Sequence, residues 1–100
     1  MRVIWAPRAV QRAIEIARYI ASDRPGAAAK WVDEIFAAAA SLNRFPKRGS
    51  KAPETNREEI RQLFHKSYRL IYRVETKRVV VLTIRHVRQL PDLSELEPEG

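Results

Sequence analysis

The chain has 100 residues, enough for one compact domain that buries roughly 60–65% of its unfolded surface and too few for two. Hydrophobic residues make up 45% and charged residues 31%, a globular rather than a disordered composition, and the absence of cysteine excludes disulfides, Cys-based metal sites and thiol catalysis. Nineteen Lys and Arg against 12 Asp and Glu give a net charge of +7, which favours an acidic or polyanionic partner. No stretch approaches the roughly 18 apolar residues of a membrane span, and the first 20 residues lack the order of a signal peptide. The expectation is a cytoplasmic protein with no membrane partner.

In chain order, Val3-Ile4-Trp5 predicts a short strand, ended by Ala6-Pro7. Val10, Ala13, Ile14, Ala17, Ile20 and Ala21 then recur at helical spacing over about 8–23, until Asp23-Arg24-Pro25-Gly26 interrupts them. A second helical pattern, over about 26–43, places Ala28, Trp31, Val32, Ile35, Ala39 and Leu42 on one face and stops at Asn43 before Phe45-Pro46. The short connection predicts an antiparallel helix hairpin. The Ala37–Ala40 run allows close helix packing; it also leaves room for a shallow seat, bordered by Ile16, Tyr19 and Phe36, which fall off the apolar stripe.

Residues 46–58 read as a basic, turn-rich loop, after which the period becomes strand-like. Ile60–Phe64, Tyr68–Val74 and Val79–Ile84 predict three strands, antiparallel because their connections are so short. Strand parity puts Leu70, Tyr72 and Val74 toward the helices. The other face then carries Arg69, Arg73 and Arg85 beside Ile71, Val81 and Thr83, a half-apolar surface studded with arginine. Residues 44–88 hold 13 basic and four acidic side chains, whereas residues 89–100 hold four acids and no base. The reading is therefore an α+β domain over 1–90, with an acidic tail over 91–100 that trails along the surface.

The segments "WAPRAVQRAIEIARYIASDRPGAAAKWVDEI", "LNRFPKRGSKAPE", "IRQLFHKSYRLIYRV" and "VVVLTIRHVRQL" resemble, in that order, the ParE/RelE toxin superfamily of type II toxin–antitoxin modules. The likeness covers about residues 3–90, and its helix-hairpin wording is nearer to ParE. It implies a small α+β toxin silenced by a cognate antitoxin, ParD-like or of another type II class. ParE-like members are thought to poison DNA gyrase without chemistry; RelE-like members enter the ribosome and cut mRNA.

For the nuclease reading, Arg69 and Arg85 lie where the resemblance implies catalytic arginines, and His86 or His65 would move the proton. No tyrosine follows Tyr72, so that catalytic set is incomplete and the gyrase reading is favoured. Arg61, Arg69, Arg73, Arg85 and Arg88, with Ile16, Tyr19 and Phe36, are the candidate contacts to target or antitoxin. The blander alternatives are that Arg69 and Arg73 pair with Glu59 or Glu75, that His86 is a structural histidine sharing a face with Leu82 and Ile84, and that Trp31 and Tyr72 are core. No metal and no cofactor are expected, since two histidines without an acidic pattern make a poor ligand set.

Overall fold

The computed structural model describes residues 1–97. Strand β1 (Arg2–Trp5) leads into helix α1 (Pro7–Asp23) and helix α2 (Pro25–Ala40), which a 3-10 turn at Ser41–Asn43 extends. Strands β2 (Ser50–Lys51), β3 (Ile60–His65), β4 (Tyr68–Val74) and β5 (Arg78–His86) follow, then a 3-10 turn at Leu93–Leu96. Each helix opens on a proline, whose missing N–H is no loss in a first turn, and Arg24 ends one helix and caps the next.

The sheet has five strands in the order β1-β5-β4-β3-β2. The three predicted strands form its antiparallel centre. The N-terminal strand joins it parallel to β5, and two residues of the basic loop add a fifth, short strand beside β3. The run Val3-Ile4-Trp5 announces β1 but not its place in the sheet, since the parallel pairing joins residues 76 apart, Arg2 to Arg78, and nothing in the loop announces β2.

The helices cover one face of the sheet. There Trp31, Ile35, Ala39 and Leu42 meet Leu63, Leu70, Tyr72, Val79, Val81 and Ile84. The hairpin seats α1 rotated from the face expected of it. Ala9 and Ala13 are buried and Ile16 packs on the core, while Val10 and Ile14 stay 40% and 47% exposed. Ile16 is partly buried, packed against the core while also bordering, with Tyr19, the concavity between α1 and β5.

The second face has its own apolar cluster of Ile60, Ile71, Val80 and Leu82, covered by Ala6, Ala52 and Leu96. β5 does not keep a single parity. Ile71 pairs with Thr83 but Tyr72 pairs with Val81, so Leu82 is an inserted residue, a β-bulge. Before it Val79 and Val81 face the helices; after it Ile84 does, while Thr83 and Arg85 look the other way. Val81 therefore belongs to the helix-side core and not to the arginine face, and His86 shares its side with Ile84 but not with Leu82.

The basic loop is anchored at Gly49, whose buried N–H donates to the Tyr72 hydroxyl at 3.0 Å. The Arg61 guanidinium donates to the Gly49 carbonyl through Nε and Nη2 and to the Lys47 carbonyl, so this arginine ties the loop to β3. Burial pushes the Tyr72 phenol up, against the Gly49 and Arg61 contacts, and keeps it a neutral hydrogen-bond partner. The tail does not trail. Leu93–Leu96 folds back onto the sheet, with Glu95 and Leu96 buried. Residues 98–100 of the predicted acidic tail lie outside the described residues.

Candidate functional site

Arg69 and Arg85 stand directly opposite each other on β4 and β5. Two like charges across a ladder repel, and each needs its own counterion. The chain provides them from its two covering segments. Arg69 is 5% exposed and makes a forked pair with Glu54, Nη1 and Nη2 each 2.7 Å from a carboxylate oxygen, while its Nε donates to Gln62 at 3.0 Å. Hydrogen bonds from Arg69, opposed by burial, hold the Glu54 carboxyl below its usual range.

Arg85 makes the corresponding contact with Glu95 of the tail, donating through Nε at 3.1 Å and through Nη2. The same carboxylate accepts from Thr83 at 3.0 Å, from Arg12 Nε of α1 at 3.1 Å and from the Asp92 N–H at 2.8 Å. Burial works against its charge, yet bonds from Arg85, the Asp92 N–H, Thr83 and Arg12 bring its pKa down to about 2. A carboxyl depressed in the folded chain stabilises it fully above the unfolded value, near 4.5, and loses that contribution as pH falls toward 2. The size is about 3 kcal/mol. Urea denaturation between pH 6 and 2.5 should show this fall in the wild type, with a clearly shallower fall in Glu95→Gln.

The other singled-out residues separate. Arg73 Nε is buried without a hydrogen-bond partner among the described residues and lies 3.8 Å from Glu75, the expected neighbour. Arg88 is exposed, and its backbone N–H donates to His86 Nδ1 at 3.1 Å. His86, half-buried, meets the Tyr68 ring edge-on, at a centroid distance of 5.4 Å. It leaves β5 on the side opposite to Arg85, yet both border one concavity at the strand end, from which Arg69 is absent. His65, at the C-terminal end of β3 and one strand away from His86 across Tyr68, sits 3.3 Å from Glu34, which Lys66 also contacts at 3.0 Å. Trp31 and Tyr72 are core, as the blander reading holds.

Two concavities flank α1. One, of about 530 Å³, lies between α1 and the end of β5 and is lined by Arg12, Glu15, Tyr19, Tyr68, Arg85 and His86. The other, of about 360 Å³, is an apolar groove along the hairpin, with Val10, Ile14, Ala21, Val32 and Phe36 among its walls. Tyr19 is 75% exposed at the first; Phe36, against Trp5 at 4.6 Å, borders the second. Among the described residues no three His, Asp or Glu side chains group as metal ligands, and no helix is long and apolar enough to cross a membrane.

Sequence reasoning missed Glu54, Glu95 and Arg12, and placed Thr83 on the arginine face without giving it a role. The usable signal was the like-charged pair Arg69/Arg85, which demands two carboxylates that only the loop and the tail can bring.

A family model described as ParE toxin of type II toxin-antitoxin system, parDE, matches residues 3–91. The chain belongs to this ParE toxin family. A putative toxin, Y4kP of Sinorhizobium fredii, is 34% identical over 88 residues, covering 88% of this chain and 90% of that relative. Among solved structures, the chromosomal ParDE toxin–antitoxin system of P. aeruginosa superposes with a TM-score of 0.73 at 21% identity, over 86% of this chain and 95% of that one. The RelBE2 toxin–antitoxin complex of Mycobacterium tuberculosis gives 0.62 at 20% identity, over 85% and 95%. The α+β fold of this ParE-family toxin is therefore shared with chains from both of these toxin–antitoxin systems.

Proposed function

We propose that this ParE-family toxin arrests growth by binding DNA gyrase, with no reaction of its own, and that a cognate antitoxin neutralises it. The observation that carries this reading is the burial of Arg69 in its pair with Glu54, where all three guanidinium nitrogens already donate, to Glu54 and Gln62. A metal-independent nuclease needs cations free to meet charge as it develops on a phosphate, and a proton-transfer group beside them. Here the Arg69 fork is closed by Glu54, two Arg85 nitrogens donate to one oxygen of Glu95, and His86 leaves the strand on the other side. The exposed groups Arg88, Tyr19 and Phe36 remain as contacts for the target or for the antitoxin. The apolar groove of the hairpin is the seat for an amphipathic antitoxin helix.

The second reading, a ribosome-dependent mRNA endoribonuclease, draws support from the cavity in which Arg85, His86 and Tyr68 come together at the strand end. Induced expression in a bacterial host, with and without the antitoxin, separates the two when message integrity and plasmid supercoiling are read together. Arrest with intact messages and altered supercoiling is expected. His86→Gln is expected to arrest growth as the wild type does; under the nuclease reading it would cut activity by about 10²-fold or more.

A further inference from the structure

The turn Leu93–Leu96 is held by two adjoining contacts of different chemistry. Glu95, 3% exposed, fills a socket whose body-side donors are Arg12 from α1 and Thr83 and Arg85 from β5. One residue on, Leu96 is 4% exposed in the apolar cluster of Ile71, Val80 and Leu82. Around the turn, Pro91 is buried, the Val87 N–H donates to the Ser67 carbonyl at 2.8 Å and Glu97 pairs with Arg57 at 3.1 Å, while the Val87 and Leu90 side chains stand exposed. With Glu95 withdrawn, Arg12 would keep Glu15 at 3.1 Å, but Arg85 would have no carboxylate partner among the described residues. The surface thus holds a carboxylate and, one residue on, an aliphatic side chain, both supplied by the chain itself.

We propose that Arg12, Thr83 and Arg85, with the apolar seat beside them, form a receptor for an acidic–aliphatic peptide segment of a partner protein, and that Glu95-Leu96 is its resident, displaceable occupant. A phosphate of a nucleic acid would satisfy the guanidinium pair but leave the Leu96 seat empty, so a peptide fits the whole surface better. The resident is intramolecular and competes at an effective concentration in the millimolar range, so an incoming segment binds well only where the plug has been loosened. A segment that takes over the socket also uncovers the tail. This holds whichever cellular target the toxin meets.

The test uses the full chain and a fluorescein-labelled peptide of sequence PDLSELE, the chain's own residues 91–97, followed by anisotropy. Glu95→Gln weakens the plug and should bind the peptide at least about tenfold more tightly than the wild type does, about 1.4 kcal/mol. Adding Arg85→Gln to that variant should abolish the gain, and a peptide with Gln in place of the Glu that corresponds to Glu95 should not bind. Leu96→Ala loosens the plug without altering any charge and should give a gain of the same sign, even if Glu95→Gln folds poorly. Equal affinity in the wild type and both loosened forms would overturn the proposal, as would a gain that survives Arg85→Gln. Displacement of the labelled peptide by a single-stranded oligouridine, but not by unlabelled peptide, would overturn it in favour of a nucleic-acid site.

Discussion

Replacing Arg69 with methionine is expected to lower the unfolding free energy by about 3–5 kcal/mol, the cost of leaving a buried charge without its partner. Glu54 and Gln62 would both lose their donor in a place where water scarcely reaches: the Glu54 side chain is 15% exposed, and Gln62 is buried. For a domain whose whole stability is about 5–15 kcal/mol, such a loss should move the melting temperature by more than about 10 °C. Adding Glu54→Gln to Arg69→Met should restore part of it, because the stranded charge is then gone. Lysine at position 69 should rescue poorly, since an ammonium cannot hold both carboxylate oxygens and the Gln62 oxygen in one plane. A chain that kept its melting temperature as Arg69→Met and lost only toxicity would return Arg69 to a contact or catalytic role.

The second large effect is expected at Gly49. A methyl group there would fall inside contact distance of the Gln62 carbonyl and lie 2.8 Å from the Tyr72 hydroxyl. The cost is steric and not conformational, because the Gly49 backbone is outside the left-handed region. Pushing the loop away would also break the N–H bond to Tyr72 and the Arg61 clamp on the Gly49 carbonyl. Overpacking and the lost bonds together put Gly49→Ala at about 2–4 kcal/mol, readable from the urea midpoint. Removing the hydroxyl in the same chain, by Tyr72→Phe, should recover little, since the closer clash is with the Gln62 backbone. Full recovery would mean that the hydroxyl alone sets the limit.

Local signals carried most of the fold. Two proline starts with helical spacing between them define the hairpin, and three alternating runs with tight connections define the antiparallel centre of the sheet. What escaped depends on distance along the chain or on a single inserted residue. The parallel pairing of β1 leaves no mark on Val3-Ile4-Trp5 that an edge position elsewhere would not also leave. The bulge at Leu82 is silent in a run of Val and Leu, yet it exchanges the faces of every residue after it, which is why Val81 was placed with the arginines. The arginine face itself was legible from parity. Its cover was not, because Glu54 and Glu95 sit in segments with no period, and their partners are fixed only once the sheet exists.

The parallel pairing of β1 with β5 also has a consequence in time. At about 5–20 residues per second, synthesis takes about 4–15 s to pass from Arg2 to the partner it pairs with, Arg78. The helix hairpin can close on local contacts during that interval, whereas the edge of the sheet must wait for the most distant segment of the domain to emerge. Val3, Ile4 and Trp5 spend those seconds with no strand to pair with. A partner that grips the finished sheet has nothing to hold until β5 is out, whereas the apolar groove of the hairpin, built from α1 and α2 alone, is complete earlier.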